Sequence, residues 1–125
     1  MATLTGVRIH INVGDGVDND SSVLFQLYHL NPANVIATHS DSNVPNNTPF
    51  DRELTIVNST LDKTQINQTT FYLEINAHGR DTFNGNLNIY FTYSDGSTNS
   101  FGYGAFEIGT FHMSNSTRKQ VNNVA

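Results

Sequence analysis

In the stretch VRIHINV (7–13), Val7, Ile9, Ile11 and Val13 alternate with Arg8, His10 and Asn12. A period of two puts the apolar set on one face, as in a half-buried strand. TFYLEIN (70–76) repeats the pattern, with Phe71, Leu73 and Ile75 against Tyr72, Glu74 and Asn76. NLNIYFTY (86–93) does so again, with Leu87, Ile89, Phe91 and Tyr93 against Asn88, Tyr90 and Thr92. SVLFQLYHL (22–30) is apolar on both faces, which predicts a strand covered on both sides. Shorter strands are predicted over 34–39, 52–57, 98–103 and 105–111. Turn chemistry separates them: DG at 15–16 and 95–96, NG at 84–85 and NP at 31–32. SDGS (94–97) between two strand runs predicts a hairpin. LDKTQINQ (61–68) has room for one helical turn within a long connection. The pattern therefore predicts an all-β protein, an antiparallel β-sandwich or jelly roll of seven or eight strands. A closed barrel is the alternative. One sandwich domain is expected over 1–113, with 114–125 as a polar C-terminal tail or an edge strand.

Charge narrows the function classes. Six Lys and Arg face eleven Asp and Glu, for a net charge of -5. Phosphate neutralisation needs clustered basic residues, so nucleic acid is not an expected partner. Only 14% of residues are charged, so polarity must come from elsewhere. It comes from 17 Asn, 10 Ser and 14 Thr, which serve equally as turn formers and as amide or hydroxyl partners for neutral polar ligands such as sugars. There is no cysteine, which excludes disulfides, thiolate zinc and a cysteine nucleophile. The opening MATLTGVRIHINV lacks the basic and apolar regions of a signal peptide, and a cytoplasmic or leaderless-secreted protein is expected.

Catalytic signatures are missing. GxSxG, HExxH and the Walker and dinucleotide fingerprints do not occur. Glu53, Glu74 and Glu107 fall in predicted strands, but nothing in the sequence pairs them as a glycosidase would require. The expectation is a protein that is not an enzyme.

Three candidate sites remain. GDGVDND (14–20) places Asp15, Asp18 and Asp20 within six positions, beside Asn12, Asn19 and Ser21. A hard cation such as Ca2+ takes six to eight oxygens, and acidic loops supply them. The spacing is not an EF-hand, since the twelfth position from Asp15 is Gln26. The alternative is a solvated acidic turn. HGRDTFNGN (78–86) offers His78, Arg80 and Asp81; Asp81 joins the first loop if both lie at one end, and otherwise belongs to a local turn. Tyr72 and Tyr90 fall on outward positions of polar strand faces, with Asn88 beside Tyr90. A tyrosine flanked by amides can stack a sugar ring and hold its hydroxyls. The alternative is that a neighbouring protomer or loop covers these rings.

The stretch GDGVDNDSSVLFQLY resembles the first strand–loop–strand of C2-like and PLAT-like sandwiches, where an acidic Gly-rich loop precedes an alternating strand. GRDTFNGNLNIYFTYSDGS is similar to the second half of small β-sandwich proteins, through Gly79-Arg80-Asp81-Thr82-Phe83 and Tyr93-Ser94-Asp95-Gly96. The tryptophan signatures of PLAT domains have no counterpart. The resemblance implies a non-catalytic domain that binds a lipid surface, a protein or a glycan, with Asp15, Asp18 and Asp20 as calcium positions and Asp81 as a further contributor.

The expected function is a lectin-like recognition module for carbohydrate or another neutral polar ligand, with Ca2+ at the 15–20 loop. Tyr72, Tyr90, Asn88, His78 and Arg80 are the expected ligand-binding residues. A structural protein that self-assembles as a homo-oligomer through the two-sided strand 22–30 is the alternative. A C2/PLAT-like membrane- or protein-binding role stands third, because basic residues are missing near the acidic loop.

Overall fold

The computed structural model describes residues 2–31, 33–58, 60–77, 81–110 and 115–123, without the side chains of 17–21, 43, 67, 76–77, 81–82, 103, 107–110 and 115–123. Eight strands follow one another: β1 (Leu4–Val13), β2 (Val17–His29), β3 (Val35–Val44), β4 (Pro49–Ile56), β5 (Thr69–Ala77), β6 (Asp81–Tyr93), β7 (Thr98–Thr110) and β8 (Asn115–Asn123). A 3-10 turn, Lys63–Gln68, precedes β5 at the place where the sequence has room for one helical turn. All pairings are antiparallel, in the order β7-β6-β1-β4-β3-β2-β5-β8. The sheet curls into a half-barrel around one core.

The alternating residues of the sequence make that core. Val7, Ile9 and Ile11 of β1, Val23, Phe25 and Leu27 of β2, Phe71, Leu73 and Ile75 of β5, and Leu87, Ile89 and Phe91 of β6 are all buried. Burying one such side chain contributes roughly 1.5–3 kcal/mol. Their polar neighbours, Arg8, His10, Asn88 and Tyr90 among them, therefore face outward on the convex side.

β4 is the joint. Pro49–Leu54 pairs with β1, whereas only Thr55 and Ile56 pair with β3. β4 thus passes from one half of the sheet, β7-β6-β1, to the other, β3-β2-β5-β8.

Several local expectations change. The pattern predicts two strands over 98–103 and 105–111, but Thr98–Thr110 is one, carried through a register jump between Leu87↔Gly104 and Asn88↔Gly102. Gly104 has φ 93°, the left-handed conformation that admits an extra residue, here Tyr103, into a bulge. NG at 84–85 is not a turn. It lies inside β6, where a Cβ on Gly85 would sit 2.5 Å from the Asn12 carbonyl oxygen. Glycine lets the two backbones approach there. SDGS does form the expected hairpin, with Gly96 at φ 85° and its N–H donating to the Tyr93 carbonyl.

Candidate functional site

The outer face of β7-β6-β1-β4 concentrates the chemistry. Strand register sets Arg8 of β1 between Tyr90 of β6 and Glu53 of β4, and His10 between Asn88 and Asp51. The Arg8 guanidinium lies over the Tyr90 ring, 4.4 Å from its centroid. One of its nitrogens donates to Asp51 Oδ1 at 2.6 Å. His10 Nδ1 meets the other oxygen of Asp51 at 3.0 Å, and His10 Nε2 lies 3.3 Å from Asn12 Oδ1. The His10 hydrogen bond leads the effects that hold the Asp51 carboxyl below its usual value; burial opposes it, and the charges of His10 and Arg8 and the Arg8 hydrogen bond add to the lowering.

Beside this network lies a depression lined by Arg8, Glu53, Tyr90, Thr92, Thr98 and Ser100. A second, shallower one is lined by Asn12, Gly14, Asn84, Asn86 and Ala105, over buried Val13 and Phe106. Both lie on β6, whose outward residues run Asn86, Asn88, Tyr90, Thr92.

On the inner side, at the seam where β3 and β4 part, stands a second His–Asp–Arg cluster. Arg52 Nε donates to Asp41 Oδ2 at 2.7 Å, and His39 Nε2 lies 3.4 Å from the same oxygen. Arg52 also covers Phe50, and His39 stacks on Phe25. Asp51 and Arg52, consecutive on β4, therefore tie this strand to both halves of the sheet. Burial pushes the Asp41 carboxyl up. The hydrogen bonds from Arg52, from the Ser42 N–H and from His39, with the Arg52 charge, outweigh it and leave the group below its usual range. Asp95 is lowered too, first by hydrogen bonds from the Ser97 side chain and backbone.

A carboxyl lowered in the folded chain adds stability above its unfolded value, near 3.8, and that stability is lost as pH falls through the folded value. Thermal melts by circular dichroism should therefore hold steady at mildly acid pH and fall in Tm below about pH 4. Asp41→Asn should start lower and lose less over that acid range. An equal loss in parent and variant would mean that the β3–β4 clasp is not part of the acid response.

The other expected site residues are placed as follows. The acidic stretch is not one loop. Asp15 sits in the turn, whereas Asp18 and Asp20 lie within β2, which begins at Val17. Their side chains, and that of Asp81 in β6, lie outside the described residues, as do His78 and Arg80 entirely. The Asp15 turn is bound to its neighbours. Asn84 Nδ2 donates to Asp15 Oδ2 at 3.0 Å, the Asp15 N–H donates to Asn84 Oδ1 at 2.8 Å, and the Gly16 N–H donates to Asn46 Oδ1 at 2.7 Å. Among the described residues no three His, Asp or Glu gather in a way that could hold a metal ion. Tyr72 does not join Tyr90. It stands on β5, seventh in the sheet order against second for β6, with its ring 6.3 Å from that of Tyr28.

Sequence reasoning does not single out Arg8, His10, Asp51 and Glu53 as parts of a site. The alternation places Arg8 and His10 outward, but their carboxylate partners are more than 40 positions away and only the β1–β4 register joins them.

A scan of family models, a search of curated proteins and a search of solved structures each return no match.

Proposed function

We propose that this protein is a non-catalytic recognition module that binds neutral carbohydrate on the outer face of β7-β6-β1-β4. The observation that carries the reading is Tyr90, held under Arg8 in a depression whose other polar walls are hydroxyls, an amide and a carboxylate. Hydroxyl and carboxylate groups accept and donate the hydrogen bonds that a sugar offers, and an aromatic edge supplies apolar contact. The guanidinium already has an anionic partner in Asp51. A neutral ligand suits such a site better than an anionic one.

In this reading the curled sheet acts as a β-sandwich, β7-β6-β1 facing β3-β2-β5-β8 with β4 as the shared corner. The contact of Phe25 on β2 with Phe83 on β6, 6.4 Å between ring centroids, supports facing layers. Ca2+ has no role at the Tyr90 depression, and sugar binding there should be indifferent to EDTA.

Tyr90→Ala should weaken binding of a neutral glycan by about tenfold or more, equivalent to about 1.4 kcal/mol. A glycan array followed by titration calorimetry tests this, with the Tm of the variant as a folding control. Unchanged affinity in a folded Tyr90→Ala protein would remove the site from this face. An absence of glycan binding in the parent would remove the function.

A further inference from the structure

We infer that the ligand is a linear, uncharged oligosaccharide lying along β6, one end at the Tyr90 depression and the other at the amide-lined depression beside Asn86; this rests on the carbohydrate reading above. The two depressions share one strand and one face. Asn86 and Tyr90 are four positions apart on β6, about 14 Å at a rise of about 3.4 Å per residue. That span exceeds one pyranose ring and matches a short chain.

Polar positions of β6 join the two depressions. Asn88 lies midway and is paired in register with His10 on one side and Gly102 on the other. Gly102 carries no side chain, and a Cβ there would stand 3.1 Å from Asn88 Oδ1. A larger residue would displace the amide that bridges the two ends.

The charges along the path define the ligand class. Arg8 and His10 both engage Asp51, so the two basic groups are drawn toward a carboxylate. Glu53 lines the Tyr90 depression and has no cationic partner among the described residues. The other polar groups along the path are amides and hydroxyls: Asn86, Asn88, Thr92, Thr98 and Ser100. Such a row recognises repeated hydroxyls, and the Glu53 carboxylate at its Tyr90 end disfavours uronate or sialate carboxylates.

The test is calorimetry of the full chain against neutral ladders of one to six units, cello-, malto-, manno- and chito-oligosaccharides, with an oligogalacturonate ladder as the anionic control. On the ladder that binds, affinity should rise about tenfold or more from one unit to four or five and then level off. Asn86→Ala, at an exposed position, should reduce affinity for the long oligomers and leave the monosaccharide unchanged. Tyr90→Ala should reduce both. A monosaccharide that binds as tightly as the hexamer would overturn the extended site while leaving the carbohydrate reading intact. So would Asn86→Ala with no effect at any length. Tighter binding of oligogalacturonate than of every neutral ladder would overturn the uncharged class. If no ladder binds, the carbohydrate reading fails and this inference fails with it.

Discussion

Phe25→Ala should remove about 3–5 kcal/mol of stability. Phe25 is fully buried in the middle strand of the β3-β2-β5 group. Its ring centroid lies 6.1 Å from Phe50, 6.2 Å from Phe71 and 6.4 Å from Phe83, and it stacks on His39 at 6.3 Å. These partners come from β4, β5, β6 and β3. Truncation therefore opens a cavity that no single strand can close by shifting, and it strips apolar cover from the Arg52–Asp41 clasp. Domains of this kind are stable by only about 5–15 kcal/mol, so the variant should be close to its folding limit. Urea unfolding followed by circular dichroism gives the measurement. Phe106→Ala is the comparison, because Phe106 lies toward the β7 edge and meets the ring of Phe83. A loss at Phe25 no larger than at Phe106 would show that the two halves of the sheet do not share one packed core.

Gly16→Ala should be nearly as damaging, at about 3 kcal/mol. The reason is steric and lies in the backbone. A Cβ on Gly16 would stand 1.8 Å from the Val44 carbonyl oxygen, 2.7 Å from its carbon and 2.9 Å from the carbonyl carbon of Pro45. None of these atoms can rotate away as a side chain would. Moving the turn would break the Gly16 N–H bond to Asn46 Oδ1 and strain the Asp15–Asn84 exchange beside it. For a chain of this length the cost corresponds to a fall in Tm of about 10 °C. Gly96→Ala provides the contrast. Gly96 has a positive φ but open space around it, so only the conformational penalty applies, about 1–2 kcal/mol. If the two variants melt together, the close approach at Gly16 is not a constraint on this fold.

These two predictions rest on unequal amounts of sequence information. Phe25 is legible as an inward residue, because Val23, Phe25 and Leu27 share one parity of a strong apolar run. The same logic places Tyr90, Asn88 and Arg8 on an outward face. The all-β class and the 94–97 hairpin follow from period and turn chemistry, which are local. Gly16 is legible as a turn residue, but not the Val44 carbonyl against it, since that contact crosses 28 positions. NG at 84–85 misleads because the dipeptide has two physical uses, turning a chain and letting backbones touch, and the sequence does not distinguish them. Residues 14–20 read as one loop because acidic residues and glycine suggest turns; β2 instead extends back to Val17 through an irregular pairing between Val17 and Ser22. The Arg8–Asp51–His10 network requires strand register, which depends on which strands pair. Tyr72 and Tyr90 have the right parity and still fall far apart, because parity assigns a face and not a place across the sheet.

The position of β1 bears on how the chain is made. It precedes the other seven strands in the chain, yet it lies between β4 and β6. One of its edges must wait for Leu54 and the other for Tyr93. While the ribosome delivers residues 14 to 48, VRIHINV has no partner on either side, although β2 and β3 can already form their hairpin. An unpaired apolar strand is the state in which nascent chains aggregate or recruit chaperones. His10 and Arg8, alternating with the valines and isoleucines, keep one side of that waiting strand polar. Arg8, which later frames the outer depression, and His10 beside it would thus first serve to keep the strand soluble during synthesis.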